Sequence, residues 1–175
     1  MHNGGMESIL GLGHDVVDIA GFEKQLNEPG TRLRGLFSAR ELRQSTLRGE
    51  SKADGEAVHL AARWAGKEAV IKAWSEALGV CDAPFTVDNM PWSQIEILDD
   101  SRGRPGVVLS EDAQKTLYES VLGTINHGSA QFVQQSRIHS REESASDTDA
   151  HLEWRISISH DGGIASAVVL LAKVE

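Results

Sequence analysis

Two carboxylates and a few cations in this chain are placed where ordinary surface residues are not. In the stretch His59 to Ser75, HLAARWAGKEAVIKAWS, good helix formers dominate. At about 100° per residue, Leu60, Trp64, Ile71, Trp74 and Leu78 share one face, and that face should be buried. Lys67 and Glu68 fall on the same face, and Lys72 stands one turn beyond Glu68 at its edge. A carboxylate and an ammonium inside an apolar stripe cost several kcal/mol unless they are paired or bind something. One reading is a Glu68–Lys72 helix pair, worth about 0.2–0.5 kcal/mol. The other is that Glu68 holds a metal while the lysines hold an anion. A second carboxylate, Asp15, closes the short apolar run that begins at Ser8. At such a place Asp is either the N-cap of a following helix or a metal ligand. Asp18 is a weaker second candidate. His160 and Asp161 sit at the tip of a C-terminal hairpin, where an imidazole either bonds backbone or binds a ligand.

The rest of the composition narrows the chemistry. There is no GxxxxGK[ST] loop, no GxGxxG, no GxSxG and no HExxH. Cys81 is the single cysteine, so neither an intrachain disulfide nor a cysteine zinc site is available. The formal charge of −9 argues against nucleic acid as a partner. No stretch is apolar enough for a bilayer. The start, MHNGGMES, has neither a basic n-region nor an apolar h-region, so a cytoplasmic home is expected. Charge is uneven, however: residues 31–52 hold Arg32, Arg34, Arg40, Arg43, Arg48 and Lys52 against Glu41 and Glu50, a net +4. Such a patch on an acidic protein is either a solvated helix face or a docking surface for an acidic partner.

The elements that must position these groups follow from the pattern. The length of 175 residues fits a single domain over 8–175, with residues 1–7 a disordered leader and 124–151 a polar insertion. A strand runs from Ser8 to about His14, and its Gly11 and Gly13 allow close backbone approach. A helix from about Val17 follows, clearest over Ile19–Leu26, then a short helix or turn at Arg32–Phe37. Ser38 and Glu41 form a capping-box pattern for a basic helix to about Thr46. The central helix spans about Glu56–Leu78. Gln94–Leu98 and Val107–Leu109 make a hairpin, and Ser110 caps a helix over about Glu111–Val121. Ala130–Val133 is a candidate edge strand. Leu152–Ser159 and Ile164–Leu171 pair as the last hairpin, with the final strand apolar enough to be central.

Two separated motifs, G-L-G-H-D at Gly11–Asp15 and R-W-A-G-K-E-A-V-I-K at Arg63–Lys72, together resemble the 4'-phosphopantetheinyl transferases. Order, spacing and length are similar to the small holo-[acyl-carrier-protein] synthase branch, with an actinobacterial cast. S-I-S-H-D at Ser157–Asp161 resembles that branch's third motif. The resemblance implies an α+β fold, an antiparallel sheet packed on a long central helix. It implies transfer of the phosphopantetheine arm of coenzyme A to a serine of an apo acyl carrier protein or a carrier domain of a fatty-acid synthase, releasing adenosine 3',5'-bisphosphate. By the same likeness Asp15 and Glu68 would hold Mg²⁺. Lys72 and Lys67 would neutralise phosphate oxygens or hold Glu68, and Arg63 and His160 would reach further phosphates. Gly103, Arg104 and Pro105 would lie near the adenine. The serine proton would pass to metal-bound water, to Glu68 or to a His160–Asp161 pair. A homotrimer with sites between protomers is implied. Two departures are the 124–151 insertion and a first helix with only Lys24 as a cation, the arginines lying just after it. A non-catalytic carrier-protein or nucleotide-binding module of the same fold is the alternative.

Overall fold

Helix α3, Glu56–Leu78, is the element on which the others pack. The computed structural model describes residues 7–86, 88–135 and 151–174. Gly55 (φ +87°) and Gly79 (φ +58°) bracket α3, and a side chain would strain the backbone at either position. Of its 23 residues, 14 are buried. That is more than one face, because a sheet covers one side and a helix with a hairpin covers another. Leu60, Trp74 and Leu78 are buried as expected, while Trp64 and Ile71 are half-buried.

The sheet side is built from β1 (Glu7–Asp18), β4 (His151–Asp161) and β5 (Ile164–Val174), all antiparallel in the order β1-β5-β4. The last strand is thus central, and Ala165, Ala167, Val169 and Leu171 turn inward at every second position. Gly11 and Gly13 face α3. A Cβ at Gly11 would stand 2.0 Å from the Ala73 carbonyl oxygen, and one at Gly13 would stand 1.8 Å from that of Ala69. Only glycine against alanine lets a strand lie this close to a helix backbone. The free edge of β1 is closed by α3 itself: Leu12 N–H donates to the Glu76 carboxylate and the His14 carbonyl accepts from Lys72.

The other side of α3 meets α2 (Ala39–Lys52) and the hairpin of β2 (Ile95–Asp99) and β3 (Pro105–Leu109). The capping box forms in full: Glu41 N–H donates to Ser38 Oγ, and Ser38 N–H donates to the Glu41 carboxylate. α2 runs past the expected end near Thr46 to Lys52, because its buried face continues through Ser45 and Gly49. α1 covers Ile19–Leu26, and a 3-10 turn covers Leu33–Leu36.

Three expectations are corrected. Asp15 does not cap α1; β1 continues to Asp18, whose carboxylate accepts from Ala20 N–H at 3.1 Å. α4 runs over Glu111–Gln135, so Ala130–Val133 is helix and the first part of the 124–151 segment continues α4. Residues 136–150 of that segment lie outside the described residues, as do residues 1–6 of the leader, while Glu7 belongs to β1. No helix is long and apolar enough to cross a membrane among the described residues.

Candidate active site

Alternation along β1 places Asp15 on the face of Gly11 and Gly13, one step beyond the glycine contact with α3. It arrives beside the row Trp64, Glu68, Lys72, whose members are four residues apart on the helix. Lys72 Nζ donates to Asp15 Oδ1 at 2.8 Å and to the His14 carbonyl at 3.0 Å. Lys72 therefore bonds across to the strand rather than to Glu68, its neighbour on the helix. Asp15 and Glu68 both line a cavity of about 390 Å³, with Asp18, Phe22, Gln25 and Trp64. Burial pushes the Glu68 carboxyl above its ordinary value, the Asp15 charge pushes it further, and Lys72 pulls it back. Two carboxylates whose charges repel across one cavity are what a shared cation would relieve. Among the described residues no group of three or more His, Cys, Asp or Glu converges. A donor set of two carboxylates matches Mg²⁺, which keeps positions for waters and substrate phosphates.

A second, basic site lies a quarter-turn round α3. The row His59, Arg63, Lys67 faces α2 and the β2–β3 hairpin instead. Here Arg48, Lys52, His59, Arg63 and His160 line a cavity of about 130 Å³. It shares Asp99, Pro105 and Ile158 with an open groove of about 830 Å³ between the hairpin and β4, which Arg104 also lines. His59 Nε2 lies 2.9 Å from Asp54 Oδ1, and its ring meets His160 edge-on at 5.7 Å between centroids. Burial lowers the His59 pKa and outweighs the pull of Asp54 in the other direction. Arg104 is held by Asp100 at 2.7 Å. The carboxylate cavity and the basic cavity share no lining residue.

The site residues expected from sequence are thus sorted. Asp15, Glu68 and Lys72 come together. Arg63, His160, Arg104 and Pro105 line the continuous basic groove. Arg63 stands at its floor, only 4% exposed, with one Nη donating to the His59 carbonyl and the other to Gln44 and Asp99. Lys67 is a correction. It is 0% exposed, its ammonium paired with Glu41 at 2.9 Å and donating to the Trp92 and Ile95 carbonyls. So enclosed, it holds Glu41, not Glu68. Asp161 is also corrected: adjacent strand residues face opposite ways, and its carboxylate accepts from Gly162 N–H at 2.8 Å. No His160–Asp161 pair forms in this structure. Sequence reasoning missed Arg48, Lys52 and His59 as groove residues; the first two were legible only as members of the basic run. Half of that run is paired, with Arg34 on Glu56, Arg40 on Glu96 and Arg48 on Asp99.

Comparison with known proteins agrees with the geometry. Residues 11–137 match the family model of the 4'-phosphopantetheinyl transferase superfamily. The chain is 50% identical over 166 residues to a holo-[acyl-carrier-protein] synthase of Bifidobacterium animalis, covering 93% of this chain and 97% of that protein. It is 33% identical over 163 residues to the holo-[acyl-carrier-protein] synthase of Mycobacterium leprae, covering 93% and 96%. Among solved structures, the Chronobacterium ammoniagenes ACPS–CoA complex is similar with a TM-score of 0.69 and 32% identity over 94% of this chain and 97% of that one. By the length of the match and the identity to these relatives, the chain belongs to the 4'-phosphopantetheinyl transferase superfamily.

Proposed function

We propose that this protein is a holo-[acyl-carrier-protein] synthase that moves the 4'-phosphopantetheine arm of coenzyme A onto a serine of an apo acyl carrier protein. The observation that carries this reading is the meeting of Asp15 and Glu68 at one cavity, with Lys72 bonded to Asp15. The serine Oγ forms a bond to the β-phosphorus of coenzyme A, the bond to the bridging oxygen breaks, and adenosine 3',5'-bisphosphate leaves. Asp15 and Glu68 would hold Mg²⁺, which when bound neutralises pyrophosphate oxygens as charge builds on the leaving group. Glu68, half-buried and with its pKa raised, is suited to accept the serine proton directly or through a water. Lys72 supplies a positive charge beside the leaving phosphate. The basic groove takes the adenosine bisphosphate half of coenzyme A, with Lys52 and His160 as its available polar contacts and Pro105 against the base.

Two features of the same chain support a trimer. Leu12, Val16, Ile164 and Val168 are exposed on the sheet face turned away from α3. An apolar sheet face of this kind suits a second copy. The carboxylates and the groove also open on different sides of α3, so neighbouring copies would complete one site between them. Of the basic run, Arg32 and Arg43 make no ion pair among the described residues, and they suit an acidic carrier surface. No nucleic acid or membrane is needed, and a cytoplasmic location suits the reaction. The alternative of a non-catalytic module is disfavoured, since it has no use for two carboxylates held in mutual repulsion.

The test is the mass of an apo acyl carrier protein after incubation with coenzyme A, Mg²⁺ and this protein. Gain of the phosphopantetheine mass is expected, and its loss with Glu68→Ala or Asp15→Ala. Full transfer by either folded variant removes the carboxylate assignment; no transfer by the wild type favours the binding module.

A further inference from the structure

The small basic cavity is lined by one carboxylate, Asp99, for which phosphoryl transfer has no evident need. Asp99 ends β2, and its Oδ2 accepts from Arg63 Nη2 at 3.0 Å and forms an ion pair with Arg48 Nη2 at 3.2 Å. Its backbone is pinned by Gln44 of α2: Asp99 N–H donates to Gln44 Oε1 at 2.9 Å, and Gln44 Nε2 donates to the Asp99 carbonyl at 3.1 Å. Arg63 Nη2 also donates to Gln44 Oε1 at 3.1 Å. The turn is shaped to the same end. Gly103 has φ +76°, and a Cβ there would stand 2.7 Å from Arg48 Nη2. The two arginines differ in freedom. Arg63 is enclosed, its Nε buried without an acceptor, whereas the Arg48 side chain is 32% exposed at the mouth.

We propose that Asp99 is a positioning residue that holds Arg63 permanently and Arg48 provisionally, yielding Arg48 to a phosphate of the substrate and limiting how tightly the bisphosphate product is kept. This rests on the reading that the groove takes the adenosine bisphosphate half of coenzyme A. An enclosed guanidinium needs a counter-charge when no ligand is bound, or the fold bears the cost. A half-solvated guanidinium has no such need. One oxygen meets the first demand, and by contacting Arg48 it also lowers the positive potential that an incoming anion meets.

The experiment is calorimetric titration of the full chain with adenosine 3',5'-bisphosphate, at low salt and at about 0.5 M salt, beside thermal melts. Asp99→Asn keeps the shape and the backbone bonds to Gln44 and removes the charge. It should bind the bisphosphate about tenfold more tightly at low salt, with the advantage shrinking as salt rises. Its melting point without ligand should fall, the ligand-induced shift should grow, and kcat and the KM for coenzyme A should fall together as product lingers. A purely structural Asp99 would lower the melting point and leave affinity equal or weaker, and that outcome overturns the proposal. Should Asp99→Asn fail to fold, Arg48→Gln decides. It should fold with wild-type stability, bind the bisphosphate about tenfold less tightly and show a shallower salt dependence; unchanged affinity overturns the proposal. A wild type that does not bind the bisphosphate saturably, or whose binding ignores Lys52→Ala, overturns the groove reading itself and this inference with it.

Discussion

Replacing Lys67 by Met separates the two roles that its motif position allows. In the structure its ammonium is enclosed, bonded to the Glu41 carboxylate and to the carbonyls of Trp92 and Ile95, with the Phe37 ring beside it. Met has nearly the same length and leaves no large void. Glu41 would keep its bonds from Ser38 and Ile97 N–H but would lose its only ion pair among the described residues. Breaking a fully buried pair by removing one partner costs about 3–5 kcal/mol. The orphaned carbonyls add to this in part, since each loses a charge-assisted donor. For a domain of this size that is a fall of about 6–20 °C in melting temperature. Denaturant unfolding at fixed protein concentration measures it, and a cycle with Glu41→Gln should return a coupling above about 1 kcal/mol. At temperatures where Lys67→Met stays folded, transfer should remain within about tenfold of wild type, a loss of about 1.4 kcal/mol in barrier. A variant of wild-type stability with transfer as low as that of Glu68→Ala would refute the reasoning, for Lys67 would then be meeting substrate.

Further outcomes follow from the same geometry. Gly13→Ala puts a methyl 1.8 Å from the Ala69 carbonyl oxygen, so β1 must lift from α3; transfer should fall sharply, because Asp15 is carried with the strand. Mg²⁺ should raise the melting temperature of the wild type and not that of Asp15→Asn. Because the Glu68 pKa is raised, protonation competes with the metal from above the ordinary glutamate range, so that Mg²⁺ shift should shrink as pH falls toward it. Without metal the sign is the reverse: stability tied to Glu68 is full below its unfolded pKa and is lost as pH rises through the raised value. The Arg34 hydrogen bond lowers the Glu56 pKa, so its contribution is present above the unfolded value and lost as pH falls through the folded one. Glu56→Gln should therefore flatten the acid limb of a stability profile, by under about 1 kcal/mol since Arg34 is half-exposed. Arg43→Glu should raise the KM for carrier protein and spare that for coenzyme A.

The readable parts of the chain were those where local chemistry and tertiary contact agree. Ser38 and Glu41 form the capping box their spacing implies, and the glycines of β1 lie where only glycine fits. The final strand is central because small apolar residues fill both of its neighbours' registers. The helical wheel misled where it treated α3 as having one inside. Lys67 and Glu68 are adjacent, so about 100° separates them. On a helix covered from two sides, both can be buried and still serve different partners: Glu41 for one, the Asp15 cavity for the other. Nothing in a wheel distinguishes those two surroundings. The basic run was legible only in part for a related reason, since the acids that pair with Arg34, Arg40 and Arg48, namely Glu56, Glu96 and Asp99, come from segments beyond it in sequence.

That same division of α3 underlies the proposal that one chain builds the site only in halves. Trp64, Glu68 and Lys72 look toward the free edge of β1, while His59 and Arg63 look toward the hairpin. The carboxylate cavity and the basic cavity have no lining residue in common, so in the proposed site a pyrophosphate held by the carboxylates of one copy would place its adenosine in the groove of another. The exposed apolar sheet face is the proposed contact, since packing it against its own kind would let the carboxylates of one copy serve the groove of the next. Disrupting that face with Val168→Glu should therefore abolish transfer while leaving Asp15 and Glu68 in place. Mixing it with a Glu68→Ala chain that retains the intact face would restore activity only if the two variants assemble together. A monomeric Val168→Glu protein with full transfer would show that a single chain holds the whole site, and the argument from the two sides of α3 would fail with it.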